Sequence, residues 1–149
     1  MQTRQWLIVT ALAAGLTLAL AGCSALSAGN SNTVVLGGNL SGASEVPPVN
    51  TAGSGTVEAW FDKSTLVLRW KVRFTGLSGP ATAAHFHGPA LPGGNAGVVI
   101  PFTGNTSPIE GSTTLTPAQA ADLLAGKWYA NVHTAANKGG EVRAQISAR

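Results

Sequence analysis

Residues 65–75 read Thr65-Leu-Val-Leu-Arg-Trp-Lys-Val-Arg-Phe-Thr75 and, apart from Val67, they alternate between apolar and polar side chains. Successive side chains of a strand point to opposite faces, so one face of this segment is apolar and the other is polar. The pattern therefore predicts a strand of an antiparallel sheet with one side on a core and one side toward water. The residues predicted to face the core are Leu66, Leu68, Trp70, Val72 and Phe74.

Short segments of the same kind follow one another along the chain, separated by Gly, Pro and Asn. One helix interrupts them, with Thr116 as its N-cap, Pro117 at its first position and Gly126 after its end. These signals predict an all-β fold, a Greek-key-like β-sandwich or flattened barrel of about eight strands with one short helix. The predicted strands are 34–40, 55–61, 65–75, 81–87, 97–102, 110–115, 127–133 and 141–147.

The N-terminus is typical of an exported protein. An apolar run follows Arg4 and ends in Leu-Ala-Gly before Cys23, the only cysteine, which resembles a bacterial lipobox. We therefore expect a lipoprotein signal peptide over residues 1–22, a lipidated flexible tether over 23–32 and a β domain over 33–149. The expected location is the cell envelope, with the protein anchored to the outer side of a membrane by lipid on Cys23. An uncleaved membrane anchor is the alternative, although the run is shorter than the roughly 20 apolar residues of a spanning helix.

Charge and cysteine content exclude several classes of protein. Nine basic and six acidic residues leave a small positive excess, which argues against a nucleic-acid partner. A lone cysteine gives the folded domain no disulfide, so its stability must come from burial. We find no Ser-His-Asp arrangement, no paired carboxylates and no phosphate-binding loop, so the sequence assigns no catalytic residues.

The chain has three histidines, His85, His87 and His133. The first two share one face of a predicted strand, and alternation places all three opposite the apolar side chains. Three imidazoles without a thiolate favour copper(II) or zinc, and an open position would admit water or a small oxidant. A solvated polar sheet face, on which the histidines have no common role, is the alternative.

Neighbouring side chains could assist such a centre. Asn131, Thr134 and Glu141 are candidates to accept a ring N–H and fix the metal-binding tautomer. Four cations predicted on the same polar face could attract anions, or could simply form a solvated surface paired with Glu58 and Glu141. These cations are Arg69, Lys71, Arg73 and Arg143.

Three separated motifs together resemble the CHRD domain, a module named after chordin. They are LSGASEVPPV at 40–49, AHFHGPA at 84–90 and WYANVHTAANKGGEVRAQ at 128–145, and the resemblance spans residues 36–147. It implies an extracytoplasmic all-β module. The His-x-His strand is also similar to the metal strand of copper/zinc superoxide dismutase, although this chain has neither a fourth histidine nor a histidine bridge to a second metal.

Two functions remain open at this stage. The first is an envelope lipoprotein that binds copper or zinc through the three histidines, with superoxide-dismutase-like or copper-holding activity. The second is a metal-free interaction or scaffold module that binds an envelope protein or a glycan. Trp60 is the tryptophan predicted to lie on the outer face and so to serve a glycan, whereas Trp70 and Trp128 share the parity of the core.

Overall fold

A computed structural model describes residues 32–149. It contains eight antiparallel strands and one α-helix, which confirms the all-β prediction. The expected signal peptide and the lipidation site at Cys23 lie outside the described residues. The elements are β1 (Thr33–Ser41), β2 (Ser54–Asp62), β3 (Val67–Thr75), β4 (Ala81–His87), β5 (Val98–Pro101), β6 (Ile109–Thr114), α1 (Pro117–Leu124), β7 (Trp128–Thr134) and β8 (Val142–Ala148).

The strands form one curled sheet in the order β5-β4-β7-β8-β1-β2-β3-β6. β3 and β4 lie far apart in this order, yet Trp70 of β3 meets Phe86 of β4 with ring centroids 5.5 Å apart. Phe102 joins them, 5.4 Å from Trp70 and 4.8 Å from Phe86. Because these aromatic side chains come from opposite ends of the sheet, the sheet curls around one apolar core.

The ends of the elements follow local chemistry. In α1, Thr116 accepts a hydrogen bond from the backbone N–H of Gln119, whose side chain accepts one from the backbone N–H of Thr116. This capping box confirms the predicted helix start. β3 begins two residues later than predicted, because Leu66 has a positive φ of 57° and belongs to the preceding turn. No helical segment between residues 32 and 149 has the length and hydropathy that a bilayer-spanning helix requires.

The outer face of β4, β7 and β8 differs from the solvated surface that alternation alone predicts. Asn131, Arg143 and Glu141 point away from the apolar core, yet each is at most 2% exposed. The loop over residues 88–97 and the segment around Glu45 cover this face through hydrogen bonds to β7 and β8 side chains and to each other. This half of the sheet therefore has a buried polar layer on the side opposite its apolar core.

Candidate metal centre

The histidines are held outward by the apolar residues between them. Phe86 is fully buried in the aromatic core, so His85 and His87 on either side of it must leave the opposite face. Val132 is also fully buried and turns Asn131 and His133 outward in the same way. β4 and β7 are neighbours, with His85 directly opposite Asn131, so the outward side chains of the two strands form one cluster.

Each of the three histidines can offer one ring nitrogen such that these atoms all lie within 4.8 Å of one another. The Nδ1 atom of His85 lies 3.1 Å from Nε2 of His133. Around a tetrahedral ion with nitrogen distances of about 2.0–2.1 Å, the ligand atoms are roughly 3.4 Å apart. Binding one ion therefore requires the most distant nitrogens to approach by up to about 1.4 Å.

Two of the three rings have their tautomer set by the backbone. Nδ1 of His133 lies 2.9 Å from the carbonyl oxygen of Lys138, and Nδ1 of His87 lies 3.0 Å from that of Ala96. A carbonyl oxygen only accepts, so both Nδ1 atoms carry the proton and donate it. Each neutral ring then presents the lone pair of Nε2 to the cluster, which is the form that binds a metal.

Asn131 lies between these two lone pairs. Its side-chain Oδ1 is 2.9 Å from Nε2 of His133 and 3.0 Å from Nε2 of His87. Nε2 of a neutral ring with a protonated Nδ1 cannot donate to an oxygen, so three acceptor atoms face one another at short distance. Nδ1 of His85 can donate to Nε2 of His133, but neither Oδ1 of Asn131 nor Nε2 of His87 has a proton to share, so their contact is unfavourable unless a proton or a metal ion lies between them.

Electrostatics favours neutral rings. Burial lowers the pKa of His85, and the nearby His133 and His87 lower it further. Burial also lowers the pKa of His133, with a smaller opposing effect from the hydrogen bond to Lys138 and a further decrease from His87. Both imidazoles therefore hold lone pairs rather than charge at neutral pH.

Tyr129 and Arg143 hold His87 from the side. The rings of Tyr129 and His87 are stacked, 4.8 Å apart and within 2° of parallel. The guanidinium carbon of Arg143 lies 3.4 Å from the centre of the Tyr129 ring, and Arg143 donates to Asn95 and to the carbonyl of Gly94. His87 is thus fixed by its strand, by a stacked ring and by the loop that accepts its N–H.

Glu45 is a buried carboxyl group on the far side of Asn131. Its Oε1 atom has no hydrogen-bond partner of standard geometry, although Asn131 is close enough to influence its ionisation. Burial raises the pKa of Glu45, and the positive charge of Arg143 partly offsets that increase. Gly140, with φ of 128°, permits this packing because a Cβ there would collide with Oε1 of Glu45.

Only one of the three predicted assisting residues contacts the histidines. Asn131 touches two of them, whereas Thr134 donates to Glu141 at 2.6 Å in a separate network. Glu141 also accepts from Thr51, Asn137 and both the N–H and hydroxyl of Ser78. Burial raises the pKa of Glu141, but hydrogen bonds from Ser78, Thr134 and Thr51 outweigh it and bring that pKa to about 2.

Of the four basic residues that could attract anions to the site, only Arg143 lies beside the histidines, through its contact with Tyr129. Arg73 pairs with Glu58 on the exposed face as anticipated, and Lys71 pairs with Glu110. Both belong to β3, which is separated from β7 by three strands. The expected pairing of Glu141 with a basic residue is wrong, because hydroxyl, amide and backbone N–H groups surround its carboxylate.

The sequence indicated a connecting loop over residues 88–97 near the site, but sequence reasoning missed the contributions of Tyr129 and Glu45. Tyr129 has the same outward parity as Asn131, so alternation could have placed it on the polar face beside His87. Glu45 lies in a segment without periodicity, and nothing in the local pattern brings it to β7. Its position depends on the chain folding back over the sheet.

One of three comparisons with known proteins identified a family for this chain. Residues 36–146 match the family model of the CHRD domain. The comparisons with curated proteins and with solved structures gave no match. Because the matched segment covers most of the chain and runs from β1 to β8, the chain belongs to the CHRD domain family.

Proposed function

We propose that this domain binds one copper or zinc ion through His85, His87 and His133. The observation that carries this function is the meeting of lone pairs at the outer face of β4 and β7. Nδ1 of His87 and Nδ1 of His133 each donate a hydrogen bond to a backbone carbonyl oxygen, so both Nε2 atoms are acceptors that have no proton to donate. A bound cation would turn this unfavourable group of acceptors into a set of ligands.

The donor atoms favour copper(II) or zinc. Imidazole nitrogens suit both ions, whereas magnesium and calcium prefer sites made of oxygen. The chain contributes no thiolate or thioether between residues 32 and 149, so a copper(I) carrier that works through sulfur is not proposed. The site supports two uses of the ion, namely holding copper in the envelope and superoxide-dismutase-like turnover.

Metal loading of the full-length protein tests the site. After incubation with copper(II) or zinc and removal of excess ion, we expect about one ion per chain. The His85→Ala/His87→Ala/His133→Ala variant should retain none, since all three nitrogen donors are gone. Equal metal content in both proteins would refute the metal function. Superoxide consumption by the loaded protein beyond that of the free ion would identify turnover.

The location forms part of the same proposal. Lipid on Cys23 would tether the domain to the outer side of a membrane through the segment 23–32. Mass spectrometry of the protein from a bacterial host should show a mature N-terminus at Cys23 carrying acyl chains. A Cys23→Ser variant should remain unacylated, and an unmodified Cys23 in the parent protein would rule out the lipid anchor.

A second candidate function rests on the exposed surface of β1, β2 and β3. Trp60 is 38% exposed and lies between Val35 and Arg69 on the neighbouring strands. Among residues 32–149, Arg69 forms no ion pair, so its guanidinium is available beside the indole. An exposed aromatic ring next to hydrogen-bond donors is typical of a glycan surface. Titration with neutral and anionic oligosaccharides should change tryptophan fluorescence in the parent but not in Trp60→Ala.

A further inference from the structure

We infer that the side-chain oxygen of Asn131 is the fourth ligand of the ion, so that the protein itself closes the coordination shell. This inference rests on the proposed metal function. It changes the expected role of Asn131 from an acceptor of a ring proton to a direct donor to the metal. It also decides between the two uses of the ion, because a closed shell favours holding over turnover.

The distances around Asn131 are those between ligands of one ion. Oδ1 lies 2.9 Å from Nε2 of His133 and 3.0 Å from Nε2 of His87, and Nδ1 of His85 lies 3.1 Å from Nε2 of His133. A tetrahedral centre has six such separations of roughly 3.4 Å. Three of them are therefore near their final values before any ring moves.

His85 is the ring that can complete the geometry. His87 and His133 are anchored by backbone carbonyls, whereas within residues 32–149 the hydrogen-bond contact of His85 is with His133 alone. Rotation of His85 would bring it toward the other three donor atoms without breaking a backbone contact. The site thus has two fixed rings, a fixed oxygen and one adjustable ring.

The amide of Asn131 is turned so that its oxygen faces the histidines. Its Nδ2 lies 3.5 Å from the carbonyl oxygen of Gly139, which can only accept. The carboxyl group of Glu45 lies on the same side, and Gly140 leaves room there that a Cβ would fill. Reversing the amide would turn Oδ1 toward the carbonyl oxygen of Gly139 and the carboxyl group of Glu45, which would place acceptor against acceptor. The surroundings therefore select oxygen, the better metal donor, for the cluster.

Exogenous azide tests whether the protein closes the shell. Azide binds copper(II) at positions held by water, and its binding changes the visible absorption and the electron paramagnetic resonance spectrum. The copper-loaded, full-length parent protein should show no azide-dependent change and little relaxation of bulk water protons. Asn131→Ala should bind copper at least roughly tenfold more weakly and gain an azide-dependent change and faster water-proton relaxation.

Two further variants separate the ligand role from a packing role. Asn131→Asp keeps an oxygen at the same position and should again exclude azide. Asn39→Ala removes an exposed asparagine on β1 and should behave like the parent protein. Azide binding to the parent protein, or equal azide binding to the Asp and Ala variants, would overturn the fourth ligand while leaving the three-histidine site intact. A parent protein that holds no copper would overturn the metal function and this inference together.

Discussion

At the scale of single residues, the positions of the imidazole protons determine what the histidine cluster can bind. His87 and His133 each give their Nδ1 proton to a backbone carbonyl, and this leaves both Nε2 atoms as acceptors. Burial lowers the pKa of His85 and of His133, so these two rings are neutral at neutral pH. Protonation of His85 and His133 is therefore unfavourable at neutral pH. Their nitrogen lone pairs can bind a metal ion there without first losing a proton to water.

The affinity for metal should therefore hold through neutral pH and decline only in acid. A histidine with a lowered pKa gains its proton below the usual imidazole value of about 6.5, and a proton competes with the metal only then. Competition with a chelator, measured from pH 8 to pH 5, should show nearly constant affinity for zinc down to about pH 6. Below that the affinity should fall steeply.

The affinity of a metal site made of exposed histidines would depend on pH differently, because exposed imidazoles begin to gain protons near pH 6.5 to 7. A gradual decline of affinity from pH 7.5 downward would contradict the lowered pKa values. Copper(II) can serve as a second ion in the same titration. Because copper(II) binds imidazole more tightly than zinc does, its curve of affinity against pH should lie at lower pH and keep the same shape, constant at first and then falling.

At the scale of elements, the alternation of apolar and polar residues predicted the strands, and the capping signals at Thr116, Pro117 and Gly126 predicted the helix. The apolar positions Leu68, Trp70 and Val72 are buried, and β4 begins and ends at the predicted residues. Alternation also placed His85, His87 and His133 on one face. It could not show that this face is covered. The covering segments, around residue 45 and over 88–97, lack a regular pattern of apolar and polar residues, so their sequence does not predict where they lie.

The polar layer on that face has its own stabilising element, the carboxylate of Glu141, immediately before β8. It accepts hydrogen bonds from Thr51 and Ser78 in two other connections and from Thr134 and Asn137 in the β7–β8 hairpin. Glu141→Gln should lower the free energy of unfolding by about 3 kcal/mol, since an amide accepts weakly and leaves buried hydroxyl donors unpaired. Chemical denaturation measures this loss.

The same residue should govern stability in acid. The pKa of Glu141 is about 2 in the folded protein against 4.5 for an unperturbed glutamate, so its contribution is complete above pH 4.5. That contribution is lost as the pH falls from about 4.5 to 2. Glu58→Gln, which removes an exposed ion pair with Arg73, is the matched control and should cost no more than about 1 kcal/mol. If both variants unfold alike at pH 3 and pH 7, the role of Glu141 is refuted.

At the scale of the whole molecule, one curled sheet separates two kinds of interior. Its inner face encloses the aromatic core, where Trp70 and Phe86 join strands from opposite ends of the sheet. The outer face of β4, β7 and β8 holds a polar layer that includes Asn131 and the histidines. Because Phe86 and Val132 anchor the histidine strands in the core, the geometry of the centre and the folding of the domain depend on each other.

Metal binding should consequently stabilise the entire fold. An ion held by His85 and His87 of β4 and by His133 of β7 links two strands and binds the folded chain alone. With free ion at 100 times its dissociation constant, the gain is about 2.7 kcal/mol, which corresponds to a rise of roughly 10 °C in Tm for a domain of this size. Scanning calorimetry of the full-length protein with and without zinc measures the shift. His133→Ala removes one anchored donor and should reduce the shift to a few degrees or less, whereas Trp60→Ala, on the exposed face of β2, should leave it unchanged. An equal shift in the His133→Ala variant would mean that the ion stabilises the protein from some other place.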